Sequence, residues 1–111
     1  MAEELNPVEE GRRIAVNYLS KRGWALEWRR TLNRQLYPGF KREEFEAKER
    51  QCDQMEEEAE EYLSREVERV RHDPSPLAKD VLLAIYNILG SRTDLGFFAK
   101  RIMEKLRRDS E

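Results

Sequence analysis

The sequence is short of the residues on which several classes of protein depend. It has a single cysteine, Cys52, so no disulfide can form within the chain, as is usual in a reducing compartment. Its longest uninterrupted apolar run, residues 81–86, is far shorter than the roughly 20 residues that a membrane-spanning helix needs. The acidic first ten residues lack the apolar run of a secretory signal. These features predict a soluble cytoplasmic protein.

The chain also lacks a large excess of charge of either sign, although charged residues are plentiful. They make up 40% of the chain, but 21 basic residues nearly balance 23 acidic ones, for a net charge of −2. Such a balance gives no overall attraction to nucleic acid or to an anionic membrane, so any attraction must come from a local patch. Neither of these is therefore the favoured partner.

Glycine and proline are few and stand mostly where apolar patterns of helical spacing break off. Asn6 followed by Pro7 is typical of a helix start, and Gly23 after two basic residues is typical of a helix end. No alternating strand pattern occurs, and 111 residues suffice for one domain. The sequence predicts an all-α single-domain bundle of about five helices, at about residues 7–22, 24–36, 41–72, 76–89 and 92–108.

The apolar positions predict which helix faces form the core. Trp24, Trp28, Leu32 and Leu36 recur four residues apart, which favours a buried stripe on the second helix. The fourth helix is apolar nearly all round, which is typical of a central, buried element. In the fifth helix Phe97 is expected to point outward, while the next residue, Phe98, belongs to the inner face.

The third helix is unusually long for so small a chain. Phe45, Cys52, Met55, Ala59 and Tyr62 keep a heptad rhythm along it. At 1.5 Å per residue it would extend roughly 45 Å, so part of it is expected to project or to pair with another helix. This predicts self-association, with the apolar stripe as the contact.

The same helix carries an acidic column, which we define as Glu49, Asp53, Glu57 and Glu61. These acids stand four residues apart and so share one helix face. Like charges at this spacing destabilise a helix by about 0.2–0.5 kcal/mol per pair. The acidic column is therefore expected to face solvent and to dock on a basic surface of a partner.

An alternative interpretation makes the acidic stretch a metal site. Glu57, Glu58 and Glu61 form an E-E-x-x-E pattern, and the segment LAKDVLLAIYNILG places Asp80 on the next helix. Together they resemble the MazG-like all-α nucleotide pyrophosphohydrolases, although Leu77 stands where that family has a glutamate. The resemblance implies that the four acids bind Mg²⁺ and that the chain releases pyrophosphate from nucleoside triphosphates.

A second alternative concerns the basic and aromatic segment 21–42. Basic side chains interleaved with aromatic ones suit single-stranded nucleic acid or another anion. The competing interpretations place its two tryptophans in the core, or pair its arginines with the acidic column. The candidate anion-binding residues are Lys21, Arg22, Arg29, Arg30, Arg34, Lys41 and Arg42.

The preferred interpretation is a small non-enzymatic interaction or adaptor protein that docks through helix faces and forms a homodimer. It needs no catalytic residue and no cofactor, and Mg²⁺ enters only under the pyrophosphohydrolase alternative. Apolar anchors would supply the contact area and the acidic column would set the register. The predicted interaction residues are Phe45, Glu49, Asp53, Met55, Glu57, Glu61, Tyr62 and Phe97.

Overall fold

A computed structural model of the chain describes residues 6–34 and 41–109, with only the backbone of Arg34. These residues form four helices and no strand, which confirms the all-α prediction with one helix fewer than expected. None of the four is both long and apolar enough to cross a membrane. The predicted end of the second helix at 35–36 and the turn at 37–40 lie outside the described residues. The helices are α1 Pro7–Arg34, α2 Arg42–Arg71, α3 Ala78–Leu89 and α4 Phe97–Asp109.

The missing helix is accounted for by α1, which runs without interruption through Gly23. Its start is the predicted one, since the Asn6 side chain accepts hydrogen bonds from the backbone N–H groups of Val8 and Glu9, at 3.1 and 3.3 Å. The predicted end at Gly23 is wrong. A glycine inside a helix costs only about 1 kcal/mol relative to alanine, and burial of Ala25 and Leu32 beyond it favours continuation.

Helices α1 and α2 form an antiparallel hairpin, because residues in contact follow opposite orders along the two helices. Glu10 pairs with Arg69, Tyr18 hydrogen-bonds to Glu60, and Arg29 pairs with Asp53. The observed α2 is within one residue of the prediction at each end. Its buried residues on the apolar stripe include Cys52, as the sequence predicts, and the thiol is free.

Helix α3 packs on the hairpin at a very close approach to α1. Gly11 makes this approach possible, because a Cβ there would overlap Ala84 and lie 2.9 Å from the carbonyl oxygen of Val81. α3 contacts all three other helices, which agrees with its predicted central place. It is not buried all round, however, since Leu83 is 49% exposed.

Helix α4 begins five residues later than the sequence predicts. The helix start predicted near residue 92 is replaced by a loop, in which the Asp94 carboxylate pairs with Arg92 at 2.8 Å. The Asp94 carbonyl oxygen accepts a hydrogen bond from Arg22 Nε at 2.8 Å, which ties this loop to α1. From Phe97 onward α4 runs alongside the second half of α2, in the same direction.

The two short helices cover only part of the hairpin. α2 has 30 residues, or roughly 45 Å, whereas α3 and α4 have 12 and 13 residues, or roughly 20 Å each. The molecule is accordingly elongated, with extents of 58 × 35 × 19 Å. We call residues 24–33 and 42–56 the distal hairpin, which the short helices leave largely uncovered.

Candidate functional site

A groove of about 950 Å³ runs between α2 and α4. Its lining extends from Asp53 to Arg71 on α2, and from Gly96 to Arg108 along α4 and the residue before it. Both helices run parallel between these points, so the groove follows the helix axes. Its walls are a charged face of α2 and the outward edge of α4.

The floor of the groove holds Glu60, the one charged residue that is buried among those described, with 8% exposure. Its carboxylate accepts hydrogen bonds from the Tyr18 hydroxyl at 3.0 Å and from the Ala99 backbone N–H at 3.1 Å. The Arg22 guanidinium lies 3.7 Å away. Because Ala99 lies in the first turn of α4, Glu60 satisfies an N–H group that the helix itself leaves unpaired.

This polar network fixes the start of α4. The Tyr18 hydroxyl donates to Glu60 and also accepts the backbone N–H of Gly96, at 3.2 Å. Glycine at position 96 leaves room for the Glu60 carboxylate, which a Cβ there would overlap and displace. Every fully buried side-chain nitrogen and oxygen in the described part of the chain has a hydrogen-bond partner.

Sequence reasoning did not single out Glu60, although a signal for it existed. Glu60 lies three residues before Leu63 and seven before Val67, so it borders the buried stripe while its acidic neighbours face solvent. An acid in such a position needs partners if it is to be buried. Among the acids of the E-E-x-x-E segment, the one with a structural role is thus Glu60, which occupies one of the two unspecified positions.

Three members of the acidic column line the groove: Asp53, Glu57 and Glu61. Glu49 is exposed and lies outside the groove lining. Asp53 pairs with Arg29 at 2.5 Å, whereas Glu57 and Glu61 are exposed and pair with no basic side chain that the structure describes. The groove therefore carries two carboxylates without a basic partner among the described residues. Its lining also includes the basic residues Arg22, Arg71, Arg101, Lys105 and Arg108.

The facing wall of the groove presents two phenylalanines at the start of α4. Phe97 is 68% exposed, as the sequence predicts, but Phe98 is also exposed, by 60%, and its expected place in the core is wrong. α4 begins late, so its inward face is set by Ala99, Met103 and Leu106 instead. The two rings meet edge to face with centroids 5.6 Å apart.

The predicted apolar anchors Phe45, Met55 and Tyr62 are half-buried in the structure rather than free. Tyr62 packs against the core, and its hydroxyl accepts a hydrogen bond from the Asn17 side chain at 3.2 Å. Lys21 lies over its ring, 5.4 Å from the centroid. Tyr62 is thus largely engaged within the molecule.

Several of the predicted anion-binding residues are held by acids of the same molecule. Arg22 contacts Glu60 and the Asp94 carbonyl, and Arg29 pairs with Asp53 and Glu56. The hydrogen bond that Arg29 donates to the Asp53 carboxylate raises the pKa of the Arg29 guanidinium.

The other predicted cations are spread over the hairpin. Arg30 is 4.0 Å from Glu27, Arg42 pairs with Glu46 at 3.1 Å, and Lys41 is exposed just before α2. The side chain of Arg34 lies outside the described part. The described cations do not form one free basic surface.

The predicted Mg²⁺ ligands are not assembled into a site. Among the described residues no three acidic, histidine or cysteine side chains come close enough together to hold a metal ion. Glu57, Glu58 and Glu61 are exposed on α2, and Asp80 is exposed at the start of α3. The structure therefore does not bring these four acids together as one ligand set.

Of the predicted site residues, the structure brings five together around one groove, which Phe98 and Glu60 also line: Arg22, Asp53, Glu57, Glu61 and Phe97. An arrangement of this kind can bind a cation and an apolar group side by side. Comparison with protein-family models, with curated proteins and with solved structures finds no match to this chain.

Proposed function

We propose that the protein is a non-enzymatic interaction module whose α2–α4 groove binds an amphipathic helix of a partner protein. The bound helix would carry Arg or Lys beside bulky apolar side chains. The observation that supports this is the pair of carboxylates on one wall, Glu57 and Glu61, opposite the exposed rings of Phe97 and Phe98.

The electrostatic part of the proposal rests on the acidic column. Glu57 and Glu61 are like charges four residues apart, a spacing that destabilises the helix by about 0.2–0.5 kcal/mol. A cationic side chain bound in the groove would offset this repulsion, because both carboxylates attract it. Because both acids are exposed, the effect is screened by salt, and binding should weaken as ionic strength rises.

The apolar part of the proposal rests on Phe97 and Phe98. Full burial of a phenylalanine side chain contributes about 1.5–3 kcal/mol, and most of both rings is still exposed to water. Adjacent exposed rings rimmed by charged residues are typical of interaction surfaces. The Arg101 guanidinium lies over the Phe97 ring, 5.7 Å from its centroid.

The shape of the groove suits a helix. Its lining on α2 extends from Asp53 to Arg71, which corresponds to roughly 27 Å of helix length. A helix of about 18 residues would match this length and would present anchors at i, i+3, i+4 and i+7.

The test is calorimetric titration with designed helical peptides of about 18 residues. One peptide carries a Leu stripe flanked by Arg, and the other has Glu in place of each Arg. We expect the Arg peptide to bind and the Glu peptide to fail. The double variant E57Q/E61Q should weaken binding about tenfold and reduce its salt dependence. F97A/F98A should weaken it at least as much.

The matched control is Glu58→Gln, which removes an exposed acid of the same helix that does not line the groove. It should leave the affinity for the Arg peptide unchanged. Equal binding of the Arg and Glu peptides, or no binding of either below about 1 mM, would contradict the proposal.

A further inference from the structure

The second exposed apolar surface of the molecule lies on α1, away from the groove. Trp24 is 65% exposed and Trp28 is 44% exposed, although the sequence placed both in the core. They stand four residues apart and so share one helix face, which we call the indole face. They are the two tryptophans of the chain, which makes this face directly visible to fluorescence.

The indole face is exposed because nothing in the described structure covers the distal hairpin. Its buried side chains are Ala25, Leu32 and Cys52, a thin seam between two helices. The larger core of α1, which includes Ile14 and Tyr18, lies in the other half, where α3 and α4 pack. Two helices alone cannot bury side chains on both flanks of their seam, so the indoles remain in water.

The net charge of the distal hairpin indicates whether a polyanion or a protein is the better partner for the indole face. The distal hairpin contains five basic and seven acidic side chains, for a net charge of −2. On α1, Arg29 is already paired with Asp53 and Glu56. This part of the molecule therefore does not attract a polyanion, and its small net charge opposes contact with a second copy only weakly.

The exposed area also fits a contact between two copies. A tryptophan side chain buries up to about 250 Å², so the exposed parts of the pair amount to roughly 270 Å² per copy. Two copies would then contribute about 540 Å² of indole surface, a third of the roughly 1,600 Å² in an interface of standard size. Flanking hairpin surface would supply the remainder.

We propose that the indole face is the interface between two copies of this chain, in which the two distal hairpins pack as four helices. Antiparallel helix pairs commonly bury their second face in this way. The contact is isologous, so each copy presents Trp24 and Trp28 to the same residues of the other. It does not depend on occupancy of the groove.

Sedimentation and tryptophan emission test the proposal on one dilution series of the full chain. We expect a dimer that dissociates on dilution, and an emission maximum that moves to longer wavelength over the same concentrations as the indoles enter water. Trp24→Ala should raise the dimer dissociation constant at least tenfold and still leave Trp28 as the reporter. Trp24→Phe, which keeps an apolar ring, should restore most of the affinity.

The matched control is F97A/F98A, which removes two exposed rings from the groove and should leave the dimer unchanged. Trp24→Ala should in turn bind the Arg peptide of the groove test as wild type does, so the two proposals fail independently. A monomer at all concentrations would overturn the proposal. So would a dimer whose emission does not change on dilution, or a monomer whose emission is quenched by a single-stranded oligonucleotide.

Discussion

At the scale of single residues, the Tyr18–Glu60 pair illustrates how one buried acid can organise a fold. Glu60 belongs to α2. Its carboxylate accepts a hydrogen bond from the Tyr18 hydroxyl of α1 and another from a backbone N–H in the first turn of α4. Three helices thus meet at one carboxylate. A buried acid is costly unless its oxygens are hydrogen-bonded, and here the partners come from elements far apart in sequence.

The Tyr18 phenol makes this network sensitive to alkaline pH. Burial raises its pKa from 10.0 to about 12, and the neighbouring Glu60 carboxylate adds to the shift. A group whose pKa is higher in the folded state stabilises the fold below its unfolded pKa. That contribution is then lost as the pH rises through the range from 10 to about 12.

We therefore expect the unfolding free energy of wild type to fall by about 2–3 kcal/mol relative to Tyr18→Phe across that range. At neutral pH the variant should be less stable by about 1–3 kcal/mol, because Glu60 and the Gly96 N–H each lose a partner. Denaturant titrations of both proteins at several pH values measure the difference. Tyr86→Phe, outside the network, is the control. A difference that stays constant up to about pH 12 would contradict this assignment.

At the scale of elements, α1 shows how packing overrides a local stop signal. Gly23 after two basic residues predicts a helix end, yet α1 continues for eleven further residues to Arg34. α4 shows the opposite case, because residues 91–94 predict a helix start that the Arg92–Asp94 pair replaces with a loop. In α1, burial against α2 outweighs a preference of about 1 kcal/mol. At residues 91–94 a local ion pair and the hydrogen bond from Arg22 to the Asp94 carbonyl oxygen accompany the loop instead.

Two glycines of α1 offer a matched test of this continuity. A Cβ at Gly23 meets nothing within 4 Å, so Gly23→Ala should stabilise the protein by about 0.5–1 kcal/mol through helix propensity. A Cβ at Gly11 overlaps Ala84 of α3, so Gly11→Ala should destabilise by about 1–3 kcal/mol despite the same propensity gain.

Denaturant unfolding of wild type and both variants measures these changes. Circular dichroism confirms that each variant is helical before it is compared. If α1 broke at Gly23, alanine there would force the chain out of its turn and lower the stability instead. That outcome would contradict the continuous helix.

At the scale of the whole molecule, the chain divides into a well-packed half and a thin half. The core cluster draws on all four helices around Ile14, Leu63 and Ile85, whereas the distal hairpin buries only a narrow seam. Local stability follows the number of buried apolar contacts, so the two halves should open at different free energies.

Hydrogen exchange measured at a concentration where the protein is monomeric tests this division. Amides of residues 26–33 and 42–51 should exchange faster than those of residues 60–70, which lie under α3 and α4. At concentrations that favour the dimer, protection of the distal hairpin should rise. Uniform protection along α2 in the monomer would show that the hairpin opens as one unit.

Local sequence patterns predict the all-α class, the N-cap at Asn6, the length of α2 and the exposure of Glu57, Glu61 and Phe97. These features follow from local periodicity and capping, which act between residues a few positions apart. They can be predicted because residues three or four positions apart on a helix share a face, whatever packs around it.

Packing between helices sets the burial of Glu60, the exposure of Trp24 and Trp28, and the position of the groove. Each depends on which face of a helix a distant element covers, and helical spacing alone leaves that open. The Trp24 stripe has the period of a core face, but α3 and α4 are too short to reach it. The groove likewise exists because Gly96 lets α4 start beside Glu60.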